Sequence, residues 1–364
     1  MKILYITTIG ATMRFFVNYI CQLMEAGHQV DIACGEPGSL PQIFIEKGCS
    51  VHAFSYSRSP LKISNIIAVK EVKKLVQNEK YDIVHCHTPI AAACTRLACR
   101  TLRKKGTKVI YTAHGFHFYT GAPLLNWVIY YPIEWITSWY TDVLITINKE
   151  DYARAKNRFH AKQILYVPGV GIDTDKFRKN KEDNPIREEL EISGKAFVLL
   201  SVGELNENKN HEAVIRAIAG MHLVYVIVGE GRLKEQLENV AKEVGSNVIL
   251  TGYRTDIIDF YNTANAFILP SIREGLNVSL MEAMASGLPC LAGDIRGNRD
   301  LIDEKGGCLF NPSDINEISK AIESIMSNPD GKGQYNQEKI KSYDYGTVNM
   351  KMNKIYFSET DQQQ

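Results

Sequence analysis

Short apolar runs alternate with stretches of helical spacing along almost the whole chain of 364 residues. Strands that alternate with helices predict βαβ units, and hence parallel sheets that helices cover on both faces. The predicted fold class is therefore α/β. The predicted strands are 3–7, 30–34, 83–87, 109–112, 143–147, 197–202, 224–228, 248–251, 266–269 and 290–292. Predicted helices between them include 14–26, 63–77, 212–219 and 233–244.

The alternation is interrupted once, by the Gly- and Asp-rich stretch 167–177 and the charged stretch 178–193. A chain of this length is natural for two domains. The interruption predicts two Rossmann-like, doubly wound domains, over 1–172 and 173–342, that face each other across a cleft. A helix over about 343–358 is a candidate to pack back on the first domain. Because such sheets bind ligands at the carboxyl ends of their strands, the cleft is the predicted site.

Composition and charge argue against several classes of protein. The formal net charge is +1, which gives no strong field for nucleic acid. No run approaches the roughly 20 apolar residues of a membrane span, and the first ten residues resemble a strand more than a signal peptide. The eight cysteines form no CxxC pair, and His85-Cys86-His87 has no second ligand cluster with zinc-like spacing. The sequence thus predicts a cytoplasmic protein without a metal.

The most informative segment is 270–287, PSIREGLNVSLMEAMASG, directly after a predicted strand. Its helix begins near Asn277, where unpaired N–H groups and the helix dipole form an anion site that suits a diphosphate. Glu274 precedes this start and Glu282 follows within the helix. Ser279 and Glu282 also have capping-box spacing, so Glu282 has an alternative role at the helix start. Glu274 has the alternative of a solvated loop carboxylate.

This segment resembles the E-x7-E element of GT-B glycosyltransferase family 4. The residues that match are Glu274, Gly275, Glu282, Ala283, Met284, Ala285 and Gly287. The resemblance implies that Glu274 lies by the transferred sugar, as a ligand of its hydroxyls, and that Glu282 binds the ribose of the nucleotide. The backbone implied in diphosphate binding is that of Leu276, Asn277, Val278 and Ser279, and Gly275 is a further residue implied in donor binding.

Three further segments of the second half resemble donor-binding loops of the same family. Residues 201–210, SVGELNENKN, contain Gly203 and place Lys209 at the position of a phosphate-contacting lysine. Glu204 stands where many relatives have arginine, and because an acid cannot neutralise a diphosphate, no phosphate role passes to it. Residues 228–232, VGEGR, supply a G-x-G turn with Gly229 and Gly231, and residues 251–255, TGYRT, match the loop near the nucleobase. The implied base contacts there are Tyr253 and Arg254.

The first half carries a weaker version of the same resemblance. Gly10 follows the first strand, where relatives have a glycine-containing loop against the donor phosphates. His114, in TAHGFHF at the end of a strand, matches a histidine that faces the reacting sugar. His87 and His117 are the candidates for the acceptor side.

The resemblance implies a retaining, metal-independent glycosyltransferase without a cofactor, in which Lys209, Glu274 and His114 are the catalytic candidates. Its substrate is a nucleoside-diphosphate sugar that binds the second domain, with UDP and a hexose or N-acetylhexosamine favoured. Similar proteins build capsules, O-antigens and exopolysaccharides, which implies a polyprenyl-diphosphate-linked glycan acceptor on the first domain. Alternatives are a nucleotide-sugar epimerase or hydrolase of the same fold, or a non-catalytic sugar-nucleotide-binding subunit. A nicotinamide-dependent oxidoreductase is disfavoured because GATMRF after the first strand lacks the GxGxxG fingerprint.

Residues 123–140 contain all three tryptophans and many other apolar residues. Two interpretations are open: a core helix kinked at Pro132, or a surface that meets the membrane beside the basic residues of 103–108. We expect part of the helix to serve each role. The expected location is peripheral, on the inner face of the cytoplasmic membrane.

Overall fold

The structure is a computed structural model, and it describes residues 1–57, 59, 62–178 and 185–357. The chain divides into two compact units. The first unit comprises Met1–Val170 together with Val348–Gln364, of which residues 358–364 lie outside the described residues. The second unit comprises Gly171–Thr347.

The described part of the first unit contains a seven-stranded parallel sheet. Its strands are β1 (Lys2–Ile9), β2 (Gln29–Gly35), β3 (Val51–Ala53), β4 (Ile83–His87), β5 (Lys108–Ala113), β6 (Val143–Thr146) and β7 (Gln163–Tyr166). They are arranged in the order β3-β2-β1-β4-β5-β6-β7. The order reverses between β1 and β4, so their carboxyl ends border the position where such sheets bind ligands.

Helices cover both faces of this sheet. They are α1 (Val17–Glu25), α2 (Gln42–Glu46), α3 (Ser64–Glu79), α4 (Pro89–Cys99), α5 (Leu124–Ser138) and α6 (Lys149–Arg158), with 3-10 turns at Gly10–Phe16, Pro37–Ser39 and Arg103–Lys105. Residues of α1 and α2 share one core with β1 and β2. Residues of α3, α4, α5 and α6 share the other core, on the opposite face of the strands.

The second unit contains a six-stranded parallel sheet in its described part. Its strands are β8 (Phe197–Val202), β9 (Leu223–Val228), β10 (Val248–Gly252), β11 (Ala266–Leu269), β12 (Cys290–Gly293) and β13 (Gly307–Phe310). The helices are α7 (Ile186–Glu189), α8 (His211–Ala217), α9 (Lys234–Val244), α10 (Ile257–Thr263), α11 (Val278–Ala285), α12 (Asn298–Leu301), α13 (Ile315–Ser327) and α14 (Lys332–Ile340), with a 3-10 turn at Lys341–Tyr343. The order β10-β9-β8-β11-β12-β13 reverses between β8 and β11.

The last helix, α15 (Tyr345–Phe357), returns the chain to the first unit. Its residues Val348, Met352, Ile355 and Tyr356 are buried in the core of β1 and α1. The Tyr356 hydroxyl donates to the Tyr5 hydroxyl at 2.7 Å, so a polar contact adds to the apolar packing. The sequence predicted this helix over about 343–358, and residue 358 lies outside the described residues.

The α/β class and the parallel sheets agree with the sequence prediction. The three strands that the sequence did not predict, β3, β7 and β13, all lie at sheet edges. An edge strand has a single neighbour and buries less of its surface, which weakens the apolar pattern; no residue of β7, for example, is fully buried. The predicted helix 14–26 begins later, at Val17, because a 3-10 turn occupies Gly10–Phe16.

A buried ion pair joins α4 to α5. Arg96 Nη2 donates to Glu134 Oε2 at 2.8 Å, and the Tyr111 hydroxyl donates to Glu134 Oε1 at 2.9 Å. Removal of one partner leaves the other charge buried without compensation.

We therefore expect Glu134→Ala to lower the free energy of unfolding by about 3–5 kcal/mol, measured by urea denaturation. The exposed Glu71 on α3 is the control: Glu71→Ala should change it by less than about 0.5 kcal/mol. Equal losses in both variants would contradict the prediction.

Candidate active site

The loops that follow β8 and β11 lie side by side, because the two strands are neighbours at the reversal of the second sheet. Ile272 N donates to Asn208 O at 2.9 Å, and Asn208 Nδ2 donates to Arg273 O at 3.0 Å. Lys209 Nζ lies 2.7 Å from Glu274 Oε1, and these side chains are only 16% and 14% exposed. The structure thus joins a predicted cation and a predicted carboxylate that are 65 positions apart in sequence.

The side chain of Lys209 lies over Gly203. A Cβ at Gly203 would be 3.2 Å from Lys209 Cε, so a larger residue there would press on the lysine. The next residue, Glu204, is exposed, and no ion pair is recorded for it within the described ranges. The loop after β8 therefore contributes the positive charge of Lys209 to this site, and Glu204 is exposed to solvent.

A second cation, which the sequence did not reveal, lies beneath the same loop. Arg296 follows β12, is 5% exposed, and its Nε donates to Glu274 O at 3.3 Å. Gly297 has φ +79°, and a Cβ there would be 2.1 Å from Gly275 O, so the two backbone segments are in direct contact. The signal that could have identified Arg296 is its position after the strand next to β11.

The helix α11 begins at Val278, as expected from the sequence. Asn277 caps it: Asn277 Oδ1 accepts from Leu280 N at 3.0 Å, and Ser279 Oγ lies 2.7 Å from the same oxygen. Leu276 packs against the core of the second unit. The N–H groups of the first turn have no intrahelical partner, and the helix dipole adds partial positive charge, so this helix start favours an anion.

Glu282 faces the buried side of α11. Its Oε2 accepts from the Tyr261 hydroxyl at 2.9 Å. Burial raises the pKa of Glu282 to about 7, while Tyr261 and Lys176 oppose this shift. Because Asn277 caps the helix, the capping-box interpretation of Glu282 is wrong. Tyr261 was missed from the sequence, since it lies on α10 without any local motif.

The G-x-G turn after β9 packs tightly against the loop after β8. A Cβ at Gly229, where φ is +150°, would be 1.9 Å from Gly203 O, and one at Gly231 would be 2.3 Å from Leu205 O. Glycine at these positions is therefore required by the contact between the two loops, whether or not a ligand also approaches them.

The two residues predicted near the nucleobase differ in their surroundings. Tyr253 is 72% exposed after β10. The Arg254 guanidinium is held by Glu189, at 2.5 and 3.0 Å, and by Asp256, at 2.9 and 2.6 Å. Tyr253 therefore has a free ring face, whereas the charge of Arg254 is already paired.

Two of the predicted histidines meet in the first unit. His87 is the last residue of β4 and His114 follows the neighbouring strand β5; His87 Nδ1 lies 3.0 Å from His114 Nε2. Burial lowers the pKa of His114 to about 4 and lowers that of His87 well below its usual value. Both rings are therefore neutral near pH 7. They line a pocket together with Phe16, whose ring stacks on His87.

The other histidine of the HCH cluster, His85, has a different environment. Its Nδ1 lies 2.5 Å from the Tyr356 hydroxyl and its Nε2 lies 2.8 Å from Thr112 Oγ1. Both ring nitrogens thus have protein partners. In the described residues, no group of three or more histidine, cysteine or acidic side chains is placed to hold a metal ion.

His117 and Gly10 lie apart from the His87–His114 pair. The His117 ring stacks on Tyr130 at 4.5 Å and borders a second pocket, whose walls include Thr8 and Thr88. Gly10 begins the 3-10 turn after β1, where a Cβ would be 2.8 Å from Glu36 O. The first unit therefore has two separate candidate pockets near the carboxyl ends of β1, β4 and β5.

Comparisons with known families and proteins agree on one relationship. The family described as "Glycosyl transferases group 1" matches residues 182–343, and "Glycosyl transferase 4-like" matches residues 2–148. The putative glycosyltransferase EpsD of Bacillus subtilis is 35% identical over 353 residues, which cover 94% of this chain and 91% of that protein. A UDP-Gal:alpha-D-GlcNAc-diphosphoundecaprenol alpha-1,3-galactosyltransferase of Escherichia coli is 29% identical, over 80% of this chain and 79% of that protein.

Solved structures show the same architecture at low identity. HepE of Anabaena, in complex with UDP and glucose, has a TM-score of 0.81 and 18% sequence identity; the match covers 98% of this chain and 100% of the HepE chain. The sucrose-phosphate synthase of Thermosynechococcus elongatus has a TM-score of 0.80 and 19% identity, over 98% of both chains. The chain belongs to the group 1, GT4-like glycosyltransferases and has the GT-B fold.

Proposed function

We propose that this glycosyltransferase moves a hexose or N-acetylhexosamine from a UDP-sugar to a hydroxyl of a polyprenyl-diphosphate-linked glycan, with retention of the anomeric configuration. Such a reaction belongs to the synthesis of a bacterial surface polysaccharide. The observation that carries the proposal is the 2.7 Å contact of Lys209 with Glu274 beside the start of α11. It places a cation, a carboxylate and an anion-binding helix start where α/β sheets bind ligands.

The relatives support the choice of donor and acceptor. The name of the E. coli enzyme gives UDP-galactose as its donor and a lipid diphosphate as its acceptor. HepE was solved with UDP and glucose. We extend the nucleotide and the acceptor class from those proteins to this one, and leave the identity of the sugar open.

The chemistry of transfer explains why a cation and a helix start are needed together. When the bond between the sugar C1 and the diphosphate oxygen breaks, positive charge develops on the sugar ring and negative charge on the diphosphate. Lys209 Nζ and the first N–H groups of α11 would stabilise that negative charge. In this proposal Lys209 leaves Glu274 for the diphosphate, and the released carboxylate accepts hydrogen bonds from the sugar hydroxyls. Arg296 would hold the Glu274 backbone in place.

Retention is proposed to follow from attack on the face that the diphosphate leaves. The acceptor oxygen forms the new bond to C1, its proton passes to a diphosphate oxygen, and UDP departs. Glu274 then acts as a ligand and not as a nucleophile. The roles that the resemblance implies for Gly10, His87, His114 and His117, and the expected independence from metal, stay predictions.

Replacement of Glu274 by alanine is expected to reduce sugar transfer by about 100-fold or more, since interactions made in the transition state are worth this much. Binding of UDP should persist, because Lys209 and the helix start are retained. Transfer can be measured with labelled UDP-sugars and a lipid-linked acceptor, and UDP binding by calorimetry. The control is Glu304→Ala, which removes an exposed carboxylate before β13.

Transfer at the wild-type rate by the Glu274→Ala variant would show that this carboxylate has no part in the mechanism.

Product analysis of the unmodified protein separates the glycosyltransferase from the alternative functions. Consumption of the donor without the acceptor would indicate an epimerase or hydrolase. Binding of UDP-sugars without turnover under either condition would indicate a non-catalytic subunit.

The pKa of Glu282 predicts a pH dependence of donor binding. If the ionised carboxylate accepts both ribose hydroxyls, affinity follows its ionised fraction, which decreases as the pH falls through the pKa of about 7. Affinity for UDP-glucose should therefore drop about tenfold when the pH is lowered by about two units from 8. A doubly esterified diphosphate has no group that titrates in this range.

Calorimetry of UDP-glucose binding across this range checks the pH prediction. Glu282→Gln should bind weakly at all pH values and lose the dependence. Tyr261→Phe removes a hydrogen bond that lowers the pKa of Glu282, and should move the midpoint upward. A wild-type affinity that stays constant across the range would contradict the assignment of Glu282 to the ribose.

A further inference from the structure

The exposed face of α5 is apolar along its whole length. The inward side chains Trp127, Tyr130 and Tyr131 pack against the core of the first unit, and Glu134, the single charged residue of the helix, is buried against Arg96. The exposed residues on the opposite face, including the cap residue Trp139, are Leu124, Leu125, Val128, Pro132, Trp135, Ile136 and Trp139. The core interpretation of this stretch thus holds for one face of the helix, and the other face is apolar and exposed.

A helix on a protein surface ordinarily turns polar residues to the solvent. Here Leu124, Leu125 and Val128 are 83%, 66% and 70% exposed, and no charged side chain interrupts the face. A contiguous exposed apolar patch of this kind marks a surface that binds a membrane, another protein or an apolar ligand. The helix of 15 residues is about 22 Å long, and no helix in the described ranges is long and apolar enough to cross a bilayer.

Cations border the tryptophan end of this face. Arg103 Nη1 donates to Trp139 O at 2.8 Å, which places the basic segment 100–105 beside it. Lys104 and Lys105 are exposed, and residues 96–108 contain no aspartate or glutamate. The His160 ring also stacks on Trp139, with ring centroids 4.0 Å apart. The surrounding segment 156–163 contains no aspartate or glutamate. Arg103 and Lys162 are paired with Asp142. The exposed Lys104 and Lys105, for which no ion pair is recorded in the described ranges, therefore present positive charge to a partner at this border.

We propose that the exposed face of α5 lies in the boundary between headgroups and acyl chains of an anionic lipid bilayer. Tryptophan suits this boundary, and an apolar face combined with basic residues gives the two signals that stable surface binding requires. A second copy of the chain fits less well. An isologous contact joins the same patch of two copies, and the carboxylate at this border, Asp142, is already paired with Arg103 and Lys162 of its own chain.

The direction of α5 connects this surface to the proposed acceptor, and in this respect the inference rests on the proposed function. The helix follows β5, so its Leu124 end lies at the carboxyl edge of the sheet, on the side of His114 and His117. A bilayer that contacts α5 would therefore lie next to the second pocket of the first unit, whose lining includes Tyr130 of α5 and His117. A lipid-linked glycan could reach this pocket while its lipid stays in the membrane.

Flotation of the full chain with vesicles tests the surface directly. The vesicles contain phosphatidylcholine alone or with about one third phosphatidylglycerol, at low and at high salt. The wild type should float with the anionic vesicles, less at high salt, and weakly with neutral ones. Leu124→Asn/Val128→Asn should reduce the bound fraction by about tenfold. Ile45→Asn/Met350→Asn, which removes exposed apolar side chains of α2 and α15 on the other face of the sheet, should float like the wild type.

Three results would overturn the inference: no flotation of the wild type at low salt, equal flotation of the α5 variant, or equal loss in the control. Sedimentation without vesicles is the second measurement. A dimer that the α5 variant dissociates, with flotation unchanged, would assign the face to a second copy. UDP binding, measured separately on each variant, reports on the donor site. Loss of flotation with donor binding and transfer to a soluble acceptor intact would contradict the membrane surface alone. Flotation without donor binding or transfer would contradict the proposed function alone.

Discussion

Parallel strand pairing in both sheets brings the carboxyl ends of all their strands to one edge, and the reversal of strand order opens that edge to ligands. In the second unit the reversal lies between β8 and β11, and the loops after β8, β9, β11 and β12 pack against one another there. Their contacts are made largely by backbone, at Gly229 against Gly203 and at Gly297 against Gly275. The positions of Lys209, Glu274 and Arg296 depend on these close approaches, because each residue lies within or beside one of the packed loops.

Burial sets the charge states around these loops. Lys209 and Glu274 are both largely buried, and each supplies the opposite charge that the other needs away from water. Glu282 has no cation in direct contact in the described part of the chain; its recorded partner is the neutral Tyr261, and burial therefore raises the pKa of its carboxyl. Burial likewise lowers the pKa values of His87 and His114 in the first unit. The two carboxylates of this region thus have different partners, a lysine for Glu274 and a tyrosine for Glu282.

The helix α5 illustrates how one segment serves two environments. Its charge is turned inward, where Glu134 compensates Arg96, and its outer face is left to apolar side chains. The 3.6-residue period separates the two sets on opposite sides. The same element therefore stabilises the core of the first unit and provides the surface that we assign to lipid.

The sequence by itself determined the fold class, the strands inside the sheets and the segments that follow them, because these depend on local apolar periodicity and on short motifs. It also identified Lys209 and Glu274 separately. Only the tertiary structure decided that they are in contact, since strand order, and not sequence distance, makes β8 and β11 neighbours. It also placed Arg296 beneath Glu274, gave the cap of α11 to Asn277 rather than to Glu282, and divided the tryptophans of α5 between core and surface. These outcomes depend on packing between segments far apart in sequence, which no local pattern records.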